Sequence, residues 1–274
     1  MKESGKKLLS TADYKRHEDV LRLVDSVLLK CYLETKPMLV PSLLRLADNS
    51  CIVSEAEADL SGRQKWPELL ILYERNKLHG KALNLLKKEW RTPTGCHAAF
   101  SAENLADYLQ NLCFTGPSQA ENLRLLFEFS LPVLEESLEL GISIFTAERN
   151  SKDQARNLDH DDVLAYLKSS YTPAVVPYLE HLVNKVRVER AVFHEELVEQ
   201  YVERIRVMMK EYTHTLNDDE VRNRAGDEEG ELGDLRGRLM SFLESSKLYD
   251  PEKVLAMLDD CRCALWAIMD IILH

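Results

Sequence analysis

The segment Leu69-Leu-Ile-Leu-Tyr73-Glu74-Arg-Asn-Lys77-Leu78-His79-Gly-Lys-Ala82-Leu83-Asn-Leu-Leu86 decides the fold class. It is an apolar helical run, a short polar turn ending in Lys-Leu, and a second apolar helical run. Small Ala82 falls where two antiparallel helices can approach closely. The same plan returns at Leu239-Met-Ser-Phe-Leu243-Glu244-Ser-Ser-Lys247-Leu248, followed by Tyr249-Asp-Pro-Glu-Lys-Val254-Leu255-Ala-Met-Leu258, with two extra residues in the turn. One such hairpin cannot bury its apolar stripe alone, so neighbours must stack on it. The packing residues are Leu69, Tyr73, Leu78, Ala82, Leu83 and Leu86 in the first copy, and Leu239, Leu243, Leu248 and Leu255 in the second.

Composition carries the argument to the whole chain. The 274 residues include 45 Leu but 8 Ile, and Gly and Pro number 10 and 9. Unbranched Leu keeps its rotamer freedom in a helix better than β-branched Ile does. The expected class is all-α: an α-solenoid of stacked antiparallel hairpins, of tetratricopeptide or clathrin-repeat type, with about 13 mostly short helices.

Working outward, Asp13 to Glu34 reads as a long helix whose apolar face is Val20, Leu21, Val24, Leu28 and Cys31. Ser54, Ser101, Thr172 and Asp250 stand where N-caps are expected, Ser118 with Glu121 fits a capping box, and Pro67 opens a helix. The expected organisation is a flexible tail over residues 1–12, a helical region over 13–115, continuing repeats over 116–213, an acidic flexible loop over 214–234, and a terminal hairpin over 235–274. The apolar stretch Ala264 to Leu273 either caps the preceding helices or leaves an open end that favours self-association. It is about half the ~20 residues a spanning helix needs.

Charge narrows the function classes. With 35 Lys and Arg against 46 Asp and Glu the net charge is -11, which disfavours general binding to nucleic acid or anionic lipid. Six scattered cysteines read as free thiols in a reducing compartment. His194-Glu195 opens a His-Glu-x-x-His pattern, but Val198 replaces the second ligand, so a solvated helix face is expected there. Asp159, Asp161 and Asp162 flank a helix start, where carboxylates favour the positive end of the dipole. Asp227, Glu228, Glu229 and Glu231 lack the spacing of a calcium loop and form an acidic segment that could dock a basic partner. No phosphate-cradling glycine loop or nucleophile elbow is present. The expectation is a non-enzyme with no cofactor and no metal.

Several segments resemble the vacuolar protein sorting-associated protein 39 family, in its helical domain 1 and beyond. They are Leu23-Val-Asp25-Ser-Val-Leu28-Leu29-Lys30-Cys31-Tyr32-Leu33, Glu68 through Leu83, Tyr178-Leu-Glu180-His181, and Asp227-Glu-Glu-Gly-Glu231-Leu-Gly233. The resemblance spans roughly residues 20 to 255. It implies part of a subunit of the homotypic fusion and vacuole protein sorting (HOPS) tethering complex, acting on late endosomes and lysosomes or vacuoles with other tether subunits. A Rab GTPase and SNARE proteins would be indirect partners, and membrane association would be peripheral. A related family member, the transforming growth factor-β receptor-associated protein, serves the early-endosome CORVET complex, so an adaptor there or in receptor signalling is the alternative. No propeller sequence is present and the pattern departs after Leu255, so a fragment, short isoform or alternative end is expected.

Overall fold

Two helix stops with the same backbone geometry fold the first half of the chain. In the computed structural model, Gln64 and Lys77 take left-handed φ values of 56° and 55°. Beside them, Lys65 N–H bonds Leu60 O at 2.9 Å and Leu78 N–H bonds Tyr73 O at 2.9 Å. This six-to-one bond satisfies an orphan carbonyl at a helix end and turns the chain back at once. The structure describes residues 11–92, 100–112, 119–146, 158–215 and 230–259. The chain forms two units, one to Glu136 and one from Ser137.

The first unit contains α1 (Thr11–Thr35), a 3-10 turn (Pro37–Leu39), α2 (Val40–Leu44), α3 (Val53–Gly62), α4 (Trp66–Arg75), α5 (His79–Trp90), α6 (Ala102–Leu112) and α7 (Gln119–Glu136). From α3 onward each helix packs on the next, and α5 also touches α7. The core runs along these contacts through Leu60, Leu72, Ala82, Leu83, Leu86, Leu105, Leu109 and Val133, all at 1% exposure or less. Each buried Leu contributes roughly 1.5–3 kcal/mol of transfer free energy. Glu57 on α3 ties three helices together: it accepts from Tyr73 on α4 at 2.8 Å and from Lys81 on α5 at 2.7 Å. The Lys81 bond holds the Glu57 carboxyl below its ordinary range, while burial and Glu57 push Tyr73 up to about 12.

The orientation of α1 differs from the sequence reading. Val20, Leu21 and Val24 are 52, 41 and 52% exposed and Cys31 is exposed, while Ser26, Leu29 and Leu33 are buried. The reason lies in the connection between α2 and α3. Its backbone N–H groups at Ser50 and Ile52 need acceptors, and they find Asp25 at 2.8 Å and Ser26 at 3.0 Å. Leaving buried donors unpaired costs more than exposing a few valines, so the polar Asp25–Ser26 side turns inward.

The second unit contains α8 (Leu138–Thr146), α9 (His160–Ser170), a 3-10 turn (Thr172–Ala174), α10 (Val175–Glu180), a π-helical turn (His181–Val186), α11 (Ala191–Thr215), α12 (Glu231–Ser245) and α13 (Pro251–Asp259). Here α10 packs on α8, α9 and α11, and α11 packs on α12 and α13. Phe145, Tyr178 and Phe193 fill its centre at 1% exposure or less. His160 joins them: its Nδ1 lies 3.0 Å from the Tyr178 hydroxyl. The described residues are helices and connecting segments, without strands. The fold class is therefore all-α, built from helices packed on their chain neighbours.

The caps expected at Ser101, Asp159 and Asp250 are present, bonding Asn104, Asp161 and Glu252 N–H. Those expected at Ser54 and Thr172 are not. Helix α3 starts two residues earlier than that cap requires, at Val53, which places Ser54 inside the first turn. Likewise Ala174 N–H bonds Tyr171 O, which places Thr172 within the 3-10 turn. Ser118 lies outside the described residues.

Candidate interaction surface

In the first hairpin, Leu69, Tyr73, Ala82, Leu83 and Leu86 are buried at 6% or less, and Leu78 is half-buried at the turn. In the second, Leu239 and Leu243 are buried, but Leu248 is 39% exposed and Leu255 is half-buried, with Val254 at 2% in the inner place. The two turns differ physically. Lys77 reverses the chain in a left-handed conformation, whereas Ser246 leaves α12 extended at φ -96°, ψ 138°. Leu248 N–H then bonds the Ser246 hydroxyl, and Leu248 is carried outward.

His194 is the clearest departure from the sequence reading. The expected solvated helix face is 6% exposed there. Its Nε2 lies 3.0 Å from Val188 O and its Nδ1 2.7 Å from Ser246 Oγ. A carbonyl only accepts, so Nε2–H donates to it, while Nδ1 shares a hydrogen bond with the serine hydroxyl. The imidazole thus joins the approach to α11 with the end of α12. Glu231 sits in the first turn of α12, exposed and paired with Arg204 at 2.9 Å. Asp227, Glu228 and Glu229 lie outside the described residues, as do Ala264 to Leu273.

Two grooves flank the ridge from Pro177 to Lys185 in the second unit. One, of about 650 Å³, lies between that ridge, α11 and α12; Gly233, Gly237, Ser241 and Ser245 line its α12 side. Glu180 stands in it, accepting a hydrogen bond from Tyr201 and facing Arg238 at 3.5 Å. Burial, then Glu180, push the Tyr201 phenol well above its ordinary range, so it stays a neutral donor. The other groove, of about 660 Å³, has Leu138, Ile142 and Thr146 of α8 on one side and Pro177, His181 and Lys185 on the other.

The ridge itself contains the π-helical turn, closed by Val188 N–H to Leu182 O at 3.1 Å and by left-handed Arg187. Left-handed Arg187 ends the ridge as Gln64 and Lys77 end α3 and α4, while π turns are frequent at functional sites. Sequence reading marked Tyr178-Leu-Glu180-His181 only through its resemblance and assigned it no contact role, because Glu180, Tyr201 and Arg238 are far apart in the chain. Among the described residues no group of three His, Cys, Asp or Glu side chains is placed to hold a metal ion. No helix among them is long and apolar enough to cross a membrane. The surface offers hydrogen-bonding and ionic contacts on a helical frame, which is chemistry for recognition.

Residues 24–134, most of the first unit, match the family described as vacuolar sorting protein 39 domain 1. A vacuolar protein sorting-associated protein 39 homolog of Caenorhabditis elegans is 42% identical over 242 residues, covering 87% of this chain and 25% of that protein. The chain belongs to the vacuolar sorting protein 39 family. A human Vam6/Vps39-like member is 37% identical over 248 residues, covering 89% of this chain and 26% of its own length. More distant is a transforming growth factor-beta receptor-associated protein 1 homolog of Danio rerio, 26% identical over 249 residues, 91% of this chain and 26% of that protein. The chain spans about a quarter of the length of these curated relatives. No solved structure matches it.

Proposed function

We propose that this member of the vacuolar sorting protein 39 family is a non-enzymatic scaffold in endosome–lysosome or vacuole docking and fusion, working by protein–protein contact along its stacked helices. The observation that carries the reading is the 37–42% identity to vacuolar sorting proteins over most of the chain. The physical frame supports it: stacked hairpins present wide outer surfaces whose use is binding. Partners are other subunits of the HOPS tether, with Rab GTPase and SNARE contact indirect, and residence on late endosome, lysosome or vacuole membranes is peripheral. The acidic segment with Asp227, Glu228, Glu229 and Glu231 and the Glu180 groove are candidate contacts. From Ser137 onward the sequence has 17 Lys and Arg against 27 Asp and Glu, which suits a basic partner surface.

The alternative, service in the early-endosome CORVET tether or as a receptor-signalling adaptor, draws on the 26% identity to receptor-associated relatives. Affinity purification of the tagged chain, with late- and early-endosomal tether subunits quantified side by side, separates the two. Enrichment of late-endosomal subunits is expected. Recovery of neither set, with a specific enzyme or substrate complex instead, would overturn the scaffold reading.

A further inference from the structure

Gly237 has no role in the helix that contains it. It lies in the middle of α12, where glycine is the poorest helix former apart from proline. The fold of the chain does not require it. Gly230 is the described glycine with a positive φ, and a Cβ built on Gly237 meets no atom within 4 Å. Glycine in such a place is otherwise used where a second backbone approaches closely. Gly233, Gly237, Ser241 and Ser245 recur every fourth residue along the groove, a row roughly 18 Å long at 1.5 Å per residue. A row of this spacing normally stands out as the ridge that interdigitates with another helix; made of small residues, it is a trough. Across it, Asn184 of the π-helical turn lines the facing wall.

We propose that this trough receives a helix of another protein, which seats an arginine against Glu180. The inference rests on the scaffold reading and names the chemistry of the partner at that site. Charge selects a cation. The Glu180 side chain is 23% exposed and held from below by the buried Tyr201 hydroxyl, whereas Arg238 stands on the rim at 59%. Asp234 lines the same groove, so two carboxylates face one guanidinium there. An ionised carboxylate has about four acceptor sites. Tyr201 fills one, and Arg238, at 3.5 Å, stands at the outer limit of a bond. A planar guanidinium entering from above can give the carboxylate two parallel N–H bonds. In a half-buried site that pair is screened less than it would be on the open surface. The glycine and serine side of the groove lets the incoming backbone come close enough for the arginine stem to reach Glu180.

Labelled, alanine-rich helical peptides of about 16 residues, roughly 24 Å long, test this by fluorescence anisotropy against the whole chain. Each carries one central Arg, Gln or Glu. The Arg peptide should bind at least about tenfold more tightly than the Gln peptide, and the Glu peptide should not bind. Gly237→Gln should abolish binding while keeping or raising the melting temperature. Glu180→Gln should erase the preference for Arg over Gln, and Arg238→Gln should tighten the Arg peptide several-fold by removing the resident cation. Absence of an Arg preference, binding indifferent to Gly237→Gln, a tighter Glu peptide, or weaker Arg-peptide binding by Arg238→Gln would each overturn the proposal. So would a lowered melting temperature of Gly237→Gln, because the space would then belong to the packing of the chain itself. Affinity purification of the tagged chain keeps the scaffold reading separate. Gly237→Gln should lose tether subunits that wild type recovers, and undiminished recovery would sink the groove alone. No recovery by wild type, with the peptide selectivity intact, would sink the scaffold reading and leave the groove standing.

Discussion

At the scale of single residues, Ala82 and Gly237 show how two small side chains in helices serve opposite ends. Ala82 is fully buried in α5. Ala82→Glu should lower stability by at least ~3 kcal/mol, the sum of overpacking and an unpaired buried charge. Urea unfolding followed by circular dichroism measures it, and an unchanged midpoint would mean that the α4–α5 packing is misassigned. Gly237 lies mid-helix in α12, and a Cβ added there meets nothing within 4 Å. Gly237→Ala should therefore stabilise the protein by about 0.5–1 kcal/mol through helix propensity alone, read as a raised melting temperature. Ala82 was legible from sequence because it breaks a leucine-rich stripe. His194 was not, because the two groups that bind it come from the approach to α11 and the far end of α12.

At the scale of elements, the α3–α4–α5 group depends on Glu57. Its folded carboxyl lies below the ordinary value of 4.5, chiefly through Lys81. A depressed carboxyl contributes stability that is present above the unfolded value and is lost as pH falls through the folded one. Wild type and Glu57→Gln should thus differ most above the ordinary carboxyl value and converge as pH falls through the depressed folded one, compared by urea midpoints. A difference that does not change with pH would mean that the carboxylate charge contributes nothing. Helix positions and most stops were readable from periodicity, Pro67 and the caps at Ser101, Asp159 and Asp250. The inward face of α1 was not, because the acceptor demand of Ser50 and Ile52 N–H exists only once α2 and α3 lie beside it.

At the scale of the molecule, a net charge of -11 opposes direct adsorption to anionic lipid. In co-sedimentation with vesicles containing phosphatidylserine the purified chain should stay in the supernatant, and should pellet when vesicles carry a tether complex. Binding to bare anionic vesicles would require a basic surface that the sequence composition does not suggest. The sequence by itself determined the helical class, the hairpin at Leu69–Leu86, the family and the acidic balance, since propensity, periodicity, local motifs and charge are properties of the chain alone. Tertiary structure alone decided which side of α1 is inward, that His194 is buried, and that Glu180, Tyr201 and Arg238 meet in a groove. Those outcomes depend on which distant donors and acceptors must be satisfied together, and a linear pattern does not contain that pairing.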